Sequence, residues 1–81
     1  MYVVYVLECK DGTLYTGITT DIDRRMLEHR AGKGARYTRA RGVKRLLYTE
    51  RAKTRSTAQK REAAIKSLSR KSKIALCDSR T

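Results

Sequence analysis

The first part of the chain contains two apolar runs separated by a short polar break. Tyr2 to Cys9 is almost entirely apolar or aromatic, and Thr13 to Ile18 forms a second run. Unbroken apolar character of this length is typical of a strand buried on both faces, so we expect the first run to be the central strand of a sheet. The polar Lys10-Asp11-Gly12 between the runs predicts a β-hairpin.

The length of the hairpin loop decides which side chains share a face of the sheet. A two-residue turn would pair Cys9 with Leu14. It would also place Tyr5 and Tyr15 on opposite faces. A three-residue loop, with Gly12 in the left-handed region, would instead make the two tyrosines diagonal neighbours on one face. Glycine adopts that conformation without steric penalty, so the sequence predicts the three-residue loop.

The residues after the second strand have the spacing of a helix. Thr20-Asp21 is a candidate N-cap. Gly32 is a natural stop. The apolar stripe that predicts the buried face consists of Ile22, Met26 and Leu27.

A second stripe of this helix is polar. Asp21, Arg25 and His29 recur at intervals of four residues and therefore share one face. The segment that follows, Gly32 to Gly42, is dense in arginine and is expected to be a loop.

The second half of the chain predicts one more strand and at least one more helix. Val43 to Thr49 is the third strand, and Thr54 or Ser56 caps a helix that extends to about Ser69. Its buried side is expected to contain Ala58, Ile65 and Leu68. Ile74 to Cys77 is a last apolar patch, which fits a final helical turn packed on the domain.

The order β-β-α-β-α, with a further short helix, predicts an α+β fold. We expect a three-stranded antiparallel sheet flanked by helices, in a single domain over residues 1–81. Two cysteines and one histidine are too few for an ordinary zinc site. A Cys9–Cys77 disulfide remains open at this stage.

The net charge of the chain indicates which class of partner it binds. The 81 residues have a formal net charge of +12, and the segment from Lys33 to Arg61 contains eleven basic residues and a single acid, Glu50. A field of this size attracts polyanions, so nucleic acid is the first partner to consider and an anionic membrane the second. No run has transmembrane length, and Tyr2 already begins a strand pattern, so we expect a cytoplasmic protein.

Four short motifs, in this order, resemble the GIY-YIG nuclease superfamily. Val4-Tyr5-Val6 is followed by Tyr15-Thr16-Gly17, with ten positions from Tyr5 to Tyr15. An arginine on the next helix matches Arg25 in "DIDRRMLEH", and a glutamate on the last main helix matches Glu62 in "AQKREAAIK". The stretches "GKGARYT" and "VKRLLYTE" resemble the small stand-alone, single-domain bacterial branch of this superfamily.

The resemblance implies an endonuclease that hydrolyses DNA phosphodiesters with one divalent cation, Mg²⁺ or Mn²⁺. Tyr5 would then be the general base toward an attacking water, and Tyr15 would position groups at the centre. Arg25 would hold the scissile phosphate, and Glu62 would bind the metal. His29, one turn after Arg25, would contact phosphate or carry a proton; its alternative is an ordinary surface histidine. In isolation, Glu62 would simply form a helical ion pair with the lysine four residues later.

The glycine of the second motif also has an implied role, because Gly17 would let the backbone approach the site closely. The sequence departs from the signature at Val4, where the family has glycine, and at Thr16, where it has isoleucine. The chain contains no asparagine, which several family nucleases carry late in the sequence.

The basic middle of the chain is the candidate nucleic-acid surface. Phosphate contacts of this kind position a duplex without reading its sequence. Tyr37 either stacks on a base or braces the loop. The predicted contact residues are Lys33, Arg36, Tyr37, Arg39, Arg41, Lys44 and Arg45.

Three functions therefore compete. The first is a structure-directed or weakly specific DNA endonuclease that acts on branched or damaged duplexes in DNA repair or recombination, as a monomer that a protein partner targets. The second is a non-catalytic nucleic-acid-binding module of the same fold. The third is a basic protein that docks on another factor.

Overall fold

The sheet has three antiparallel strands with the most apolar one in the middle. The computed structural model describes residues 1–78. Strand β1 (Tyr2–Cys9) lies between β2 (Leu14–Thr19) and β3 (Val43–Ala52). Both neighbours pair with β1 in antiparallel register. The α+β class and the central position of the first strand are thereby confirmed.

Four helices accompany the sheet in the described part of the chain. Helices α1 (Ile22–Arg30) and α2 (Arg36–Arg41) precede β3, and α3 (Arg55–Lys66) and α4 (Arg70–Asp78) follow it. Within residues 1–78 none of these helices is long and apolar enough to cross a bilayer.

The segment Gly32 to Gly42 differs from its expectation, because it contains a helix and is not a loop throughout. Arginine and alanine are good helix formers, and they supply four of the six residues of α2, "RYTRAR". Gly42, with φ of 74°, ends the helix. The arginine density that suggested a solvated loop is thus equally compatible with a short exposed helix.

The hairpin has the predicted three-residue loop. The Cys9 amide donates to the carbonyl of Thr13 at 2.8 Å, and Gly12 has φ of 85°. Leu7 lies opposite Tyr15 in the register. Tyr5 and Tyr15 are therefore on one face of the sheet, as expected.

Side chains of β1 alternate between two separate cores. Val4 and Val6 are fully buried on one face, and Tyr5 and Leu7 are buried on the other. The first core is completed by Tyr48, Ala52, Ala58, Ile65 and Cys77, from β3, α3 and α4. The second is completed by Cys9 and Met26, with Tyr15, Ile22, Tyr37, Val43 and Leu46 packed around them.

Three residues expected to be buried are exposed, and one of them is Ile74 of α4, which is 38% exposed although Cys77 of the same patch is buried. Leu27 is 67% exposed, because the face of α1 that turns toward the sheet contains Met26 and His29. Leu68 is 38% exposed, because α3 ends at Lys66 and the helical spacing no longer applies beyond it.

The two cysteines are free thiols, so the Cys9–Cys77 disulfide is not formed. Cys9 belongs to the core beside α1, whereas Cys77 belongs to the core beneath α3 and α4. The sheet lies between the two cores and separates the sulfur atoms.

The helix starts agree with the predicted caps. A carboxylate oxygen of Asp21 accepts from the amide of Arg24 at 3.0 Å. The hydroxyl of Thr54, and not that of Ser56, accepts from the amide of Thr57 at 3.1 Å. These contacts satisfy donors that would otherwise lack a partner in the first turn.

Ile65 and Leu68 provide a matched test of the α3 core. Ile65 is fully buried and Leu68 lies at the surface. We expect Ile65→Ala to lower the free energy of unfolding by about 2–5 kcal/mol and Leu68→Ala to change it by less than about 1 kcal/mol. Urea unfolding measures both, and equal losses would contradict the assignment of Ile65 to the core.

Candidate active site

The hydroxyl of Tyr5 is at the centre of the candidate site. Tyr5 is in the middle of β1, and its hydroxyl oxygen lies 2.7 Å from Nε2 of His29 on α1. Both side chains are only 1% exposed. His29 is therefore a buried partner of the first motif tyrosine, and the alternative of an ordinary surface histidine is wrong.

A second hydrogen bond sets the direction of the first. The Thr38 hydroxyl on α2 donates to the carbonyl of Ala35 at 2.9 Å, so its oxygen is left to accept from Nδ1 of His29 at 2.8 Å. A neutral imidazole with its proton on Nδ1 has an acceptor at Nε2. The Tyr5 hydroxyl consequently donates to His29, and the ring nitrogen is positioned to receive a proton.

Two glycines make this arrangement sterically possible. Gly17 lies opposite Tyr5 in the strand register, and a Cβ built at Gly17 would be 2.6 Å from the Tyr5 hydroxyl. A Cβ at Gly34 would likewise overlap the His29 ring. Any larger residue at either position would displace the hydrogen-bonded pair.

Aromatic rings pack around the pair. The centroid of Tyr15 lies 6.3 Å from that of Tyr5 and 5.6 Å from that of His29. Tyr37 packs against Tyr15 at 5.8 Å, and the guanidinium of Arg41 lies 4.0 Å above the Tyr37 ring. Tyr37 thus braces the segment after α1 against the site.

The charge of Arg25 acts on Tyr5 and is the main influence that opposes the effect of burial on the phenol pKa. Nη1 of Arg25 also lies 3.1 Å from Oε1 of Glu28. Burial alone would lower the pKa of Arg25, but its interactions with Glu28 and Tyr5 raise it. Arg25 therefore stays charged.

The surroundings of Tyr5 favour its neutral form. Burial is the main cause that raises its pKa to about 12; the nearby Tyr15 and Glu62 add to this, while Arg25 acts in the opposite direction. Desolvation of the phenol therefore outweighs the guanidinium of Arg25, which by itself would favour the phenolate.

The neutral form of His29 is favoured as well. Burial lowers its pKa, and the charge of Arg25 lowers it further, while Glu28 partly opposes the shift. The site thus contains a neutral phenol that donates to a neutral imidazole. Proton transfer between them requires a change in the local field.

Glu62 is on α3, on the other side of the sheet from α1. Its charge is the smallest of the influences that raise the pKa of Tyr5. Its carboxylate also lies 3.4 Å from Nζ of Lys66, the predicted i, i+4 pair. Among residues 1–78 no three His, Cys, Asp or Glu side chains lie together as metal ligands, so Glu62 is a single carboxylate donor here.

The chain matches the family model described as the GIY-YIG catalytic domain over residues 1–75. The chain belongs to the GIY-YIG family.

Relatives of similar size support the same grouping. A UPF0213 protein of Halobacterium salinarum is 55% identical over 76 residues, which is 94% of this chain and 99% of the relative. The solution NMR structure of a UPF0213 protein from Bacillus halodurans superposes with a TM-score of 0.60 at 49% identity, over 96% of this chain and 84% of that one. A protein of E. faecalis gives 0.60 at 44% identity, over 93% and 81%.

The departures from the GIY-YIG signature lie away from the pair. Val4 and Thr16 are on the face of the sheet that packs on α3, whereas Tyr5, Tyr15 and Gly17 are on the other. Val4 is fully buried and fills the core where a glycine would leave a void. The Thr16 hydroxyl is buried without a hydrogen-bond partner among the described residues.

The predicted nucleic-acid cations differ in whether they form ion pairs. Arg41 pairs with Asp11 at 3.1 Å, and Arg45 pairs with Glu8 at 2.8 Å. The others are Lys33, Arg36, Arg39 and Lys44, which are exposed and form no ion pair within residues 1–78. The structure thus divides the group into paired and unpaired cations.

Thr38 and Gly34 are the site residues that sequence reasoning missed. Both lie in the stretch "GKGARYT", in which only Lys33, Arg36 and Tyr37 were expected to have a role. A glycine and a threonine close after the only histidine are a weak signal, because the contact requires the chain to turn back over α1.

The buried neutral state of His29 predicts a pH dependence of stability. Folding lowers its pKa below the ordinary 6.5, so below that pH the unfolded chain binds the proton more readily. The part of the folding stability that depends on neutral His29 is fully present above about pH 6.5. It is lost as the pH falls through the lowered pKa. Urea unfolding is measured at about pH 7.5 and about pH 5, on either side of the ordinary histidine pKa. The free energy of unfolding should fall between these two pH values, and it should fall less in His29→Gln than in the unmodified protein. An equal fall in both proteins would contradict this prediction.

Proposed function

We propose that the protein is a metal-dependent DNA endonuclease that hydrolyses phosphodiesters, with structure-directed or weak sequence specificity. The observation that carries the proposal is the directed chain from the Tyr5 hydroxyl through His29 to Thr38. A hydrogen bond of fixed direction that ends on a neutral imidazole is a route for removing a proton.

Tyr5 and His29 act together as the base. An attacking water gives a proton to the Tyr5 oxygen while the phenol proton passes to Nε2 of His29, so the phenol remains neutral. The water oxygen forms a bond to phosphorus, and the bond to the leaving ester oxygen breaks and that oxygen is protonated by solvent. This relay suits a phenol whose pKa is raised to about 12, because no free phenolate is required.

Arg25 binds the phosphate. A guanidinium offers planar paired donors to phosphate oxygens and stays charged throughout. Its present partner Glu28 is on the same helix, three residues later, and the pair is partly exposed. An incoming phosphate therefore competes for Arg25 without the cost of breaking a buried ion pair.

Glu62 would hold the divalent cation. A single carboxylate is compatible with Mg²⁺ or Mn²⁺, which keep several waters in such sites. When bound, the cation supplies charge neutralisation at the phosphate. The Lys66 ammonium is the residue that must release Glu62 for this, and its exposed side chain can move to solvent.

The exposed cations between Lys33 and Arg39 bind the phosphate backbone that flanks the scissile phosphate. Lys33, Arg36 and Arg39 carry charge without an ion pair in the described chain, which leaves them available to a polyanion. Contacts of this kind favour shape over sequence, and a branched or damaged duplex in repair or recombination fits them. The protein would act as a monomer that a protein partner brings to its substrate.

One observation favours the second candidate, a nucleic-acid-binding module without catalysis. Glu62 already has a cationic partner in Lys66, and this ion pair competes with a metal. Nicking assays on branched, flapped and mismatched DNA, with Mg²⁺ or with EDTA, separate the two. Cutting that needs metal and is lost in Glu62→Gln supports the endonuclease, and tight binding without cutting supports the module.

Tyr5→Phe tests the relay directly. We expect cleavage to fall by about 10²–10⁴-fold, the usual contribution of a positioned acid or base, with little change in DNA affinity. Tyr48→Phe is the control, since this buried tyrosine is on the opposite face of the sheet, where its hydroxyl donates to Glu50. Unchanged cleavage by Tyr5→Phe would refute the relay.

Thr38→Val tests the direction of the hydrogen bonds at nearly constant volume. We expect cleavage to fall about 10- to 100-fold, because a hydrogen bond to a group that becomes charged contributes about 1.5–3 kcal/mol. The ¹⁵N shifts of His29 should report loss of the single tautomer, and Thr38→Ser should restore both readouts. Reduced cleavage with an unchanged His29 tautomer would show that Thr38 acts only through packing.

A further inference from the structure

A basic groove opens beside the proposed active site, at the end of the sheet where β1 begins and β2 ends. It has a volume of about 290 Å³ and is bounded by α1 and by the first residue of α3. Its lining includes six residues that could contact a ligand: Tyr2, Ile18, Arg24, Arg25, Glu28 and Arg55. None of the seven predicted contact residues between Lys33 and Arg45 lines it, so the groove adds cations that the sequence did not predict as contacts.

The groove has an excess of positive charge. Three guanidinium groups line it, those of Arg24, Arg25 and Arg55, against the single carboxylate of Glu28. Glu28 is occupied by Arg25. Arg24 and Arg55 are exposed and form no ion pair within residues 1–78. The groove therefore presents two uncompensated cations to an anionic ligand.

Arg25 connects this groove to the reacting centre. Its side chain lines the groove, and the same helix carries His29, the hydrogen-bond partner of the Tyr5 hydroxyl, one turn later. A chain of phosphates whose scissile group is held by Arg25 would therefore place its next linkage in the groove, between Arg24 and Arg55. Because Arg25 is shared between the groove and the proposed reacting centre, a ligand in the groove would lie next to the scissile phosphate.

The remaining wall contains Tyr2 and Ile18 beside Thr19 and Thr20, and the aromatic ring of Tyr2 suits a base. Tyr2 and Ile18 are half-buried, and both pack on the core beneath α3, which limits their motion. A volume of about 290 Å³ is at the lower end for small-ligand pockets, so it has room for one nucleotide and not for a base pair. Proteins that bind single strands combine cations along the backbone with an aromatic ring on which a base stacks.

We propose that this groove holds an unpaired nucleotide next to the scissile phosphate, with Tyr2 under the base and Arg24 and Arg55 on the flanking phosphates. The preferred substrate is then DNA with a single-stranded segment at the cut, such as a flap or a tail. This inference rests on the proposed function, because it takes nucleic acid as the ligand. It adds that the groove selects an unpaired nucleotide of that ligand.

Binding measurements without cleavage test the groove. Two labelled probes of equal length are compared by fluorescence anisotropy in EDTA, a blunt duplex and a duplex with a single-stranded tail, using full-length protein that carries Glu62→Gln. Arg24→Ala and Arg55→Ala should each reduce the salt slope for the tailed probe by about 0.7, the value for one single-strand phosphate contact. Lys60→Ala is the matched control, because it removes an exposed charge from α3 outside the groove.

Tyr2→Leu tests the stacking wall, since leucine keeps apolar bulk but has no aromatic face. We expect its affinity for the tailed probe to fall about 5- to 100-fold, the range for loss of one stacked base, and its affinity for the blunt duplex to change by less than about twofold. Tyr2→Phe should keep the tail preference. Thermal melting verifies that each variant is folded.

The proposal is overturned if the groove variants keep the tail preference, or if their losses are equal for both probes and match Lys60→Ala. Cleavage by the unmodified protein in Mg²⁺ is measured separately. Tail preference that depends on the groove, in a protein that does not cut, supports the groove and refutes the endonuclease. Cutting by a protein whose groove variants keep the tail preference supports the endonuclease and refutes the groove.

Discussion

The central strand β1 is buried on both faces, and each of its side chains therefore belongs to one of two environments. Val4 and Val6 fill the core beneath α3, while Tyr5 and Leu7 point to the side of α1. A slip of one residue in the strand register would exchange the two sets and remove the phenol from His29. The three-residue hairpin loop and the pairing with both neighbouring strands prevent that slip, so the same contacts that stabilise the sheet also position the site.

Burial has opposite effects on the two members of the hydrogen-bonded pair, and both effects favour neutrality. It raises the pKa of Tyr5 to about 12 and lowers the pKa of His29. In the free protein the proton consequently stays on the phenol. A phosphate on Arg25 would bring negative charge near the imidazole and favour its protonation, so the substrate itself supplies the change of field that the relay requires. The fixed tautomer from Thr38 then determines which nitrogen receives the proton.

Local sequence signals predicted the parts of the fold that local chemistry controls. Gly12 and the caps at Asp21 and Thr54 each depend on neighbours within a few residues, and each agrees with the structure. Leu27 was misplaced because a short stripe does not distinguish two adjacent helix positions, and only the docking of α1 does so. The residues Tyr5, Arg25, His29 and Glu62 were predicted through resemblance. The role of Thr38 depends on a chain reversal that no local pattern encodes, so it required coordinates.

The ion pairs of the molecule divide its charge in a way that composition does not show. Arg41, Arg45 and Arg61 pair with Asp11, Glu8 and Glu50, and these contacts join separate elements of the fold. Cations held in this way contribute less field to a ligand, because a carboxylate lies beside each of them. Arg24 and Arg55 have no such partner within residues 1–78, and both lie in the groove that Arg25 connects to Tyr5. The net charge of +12 attracts a polyanion in general, but the pairing pattern determines where uncompensated charge meets the proposed reacting centre.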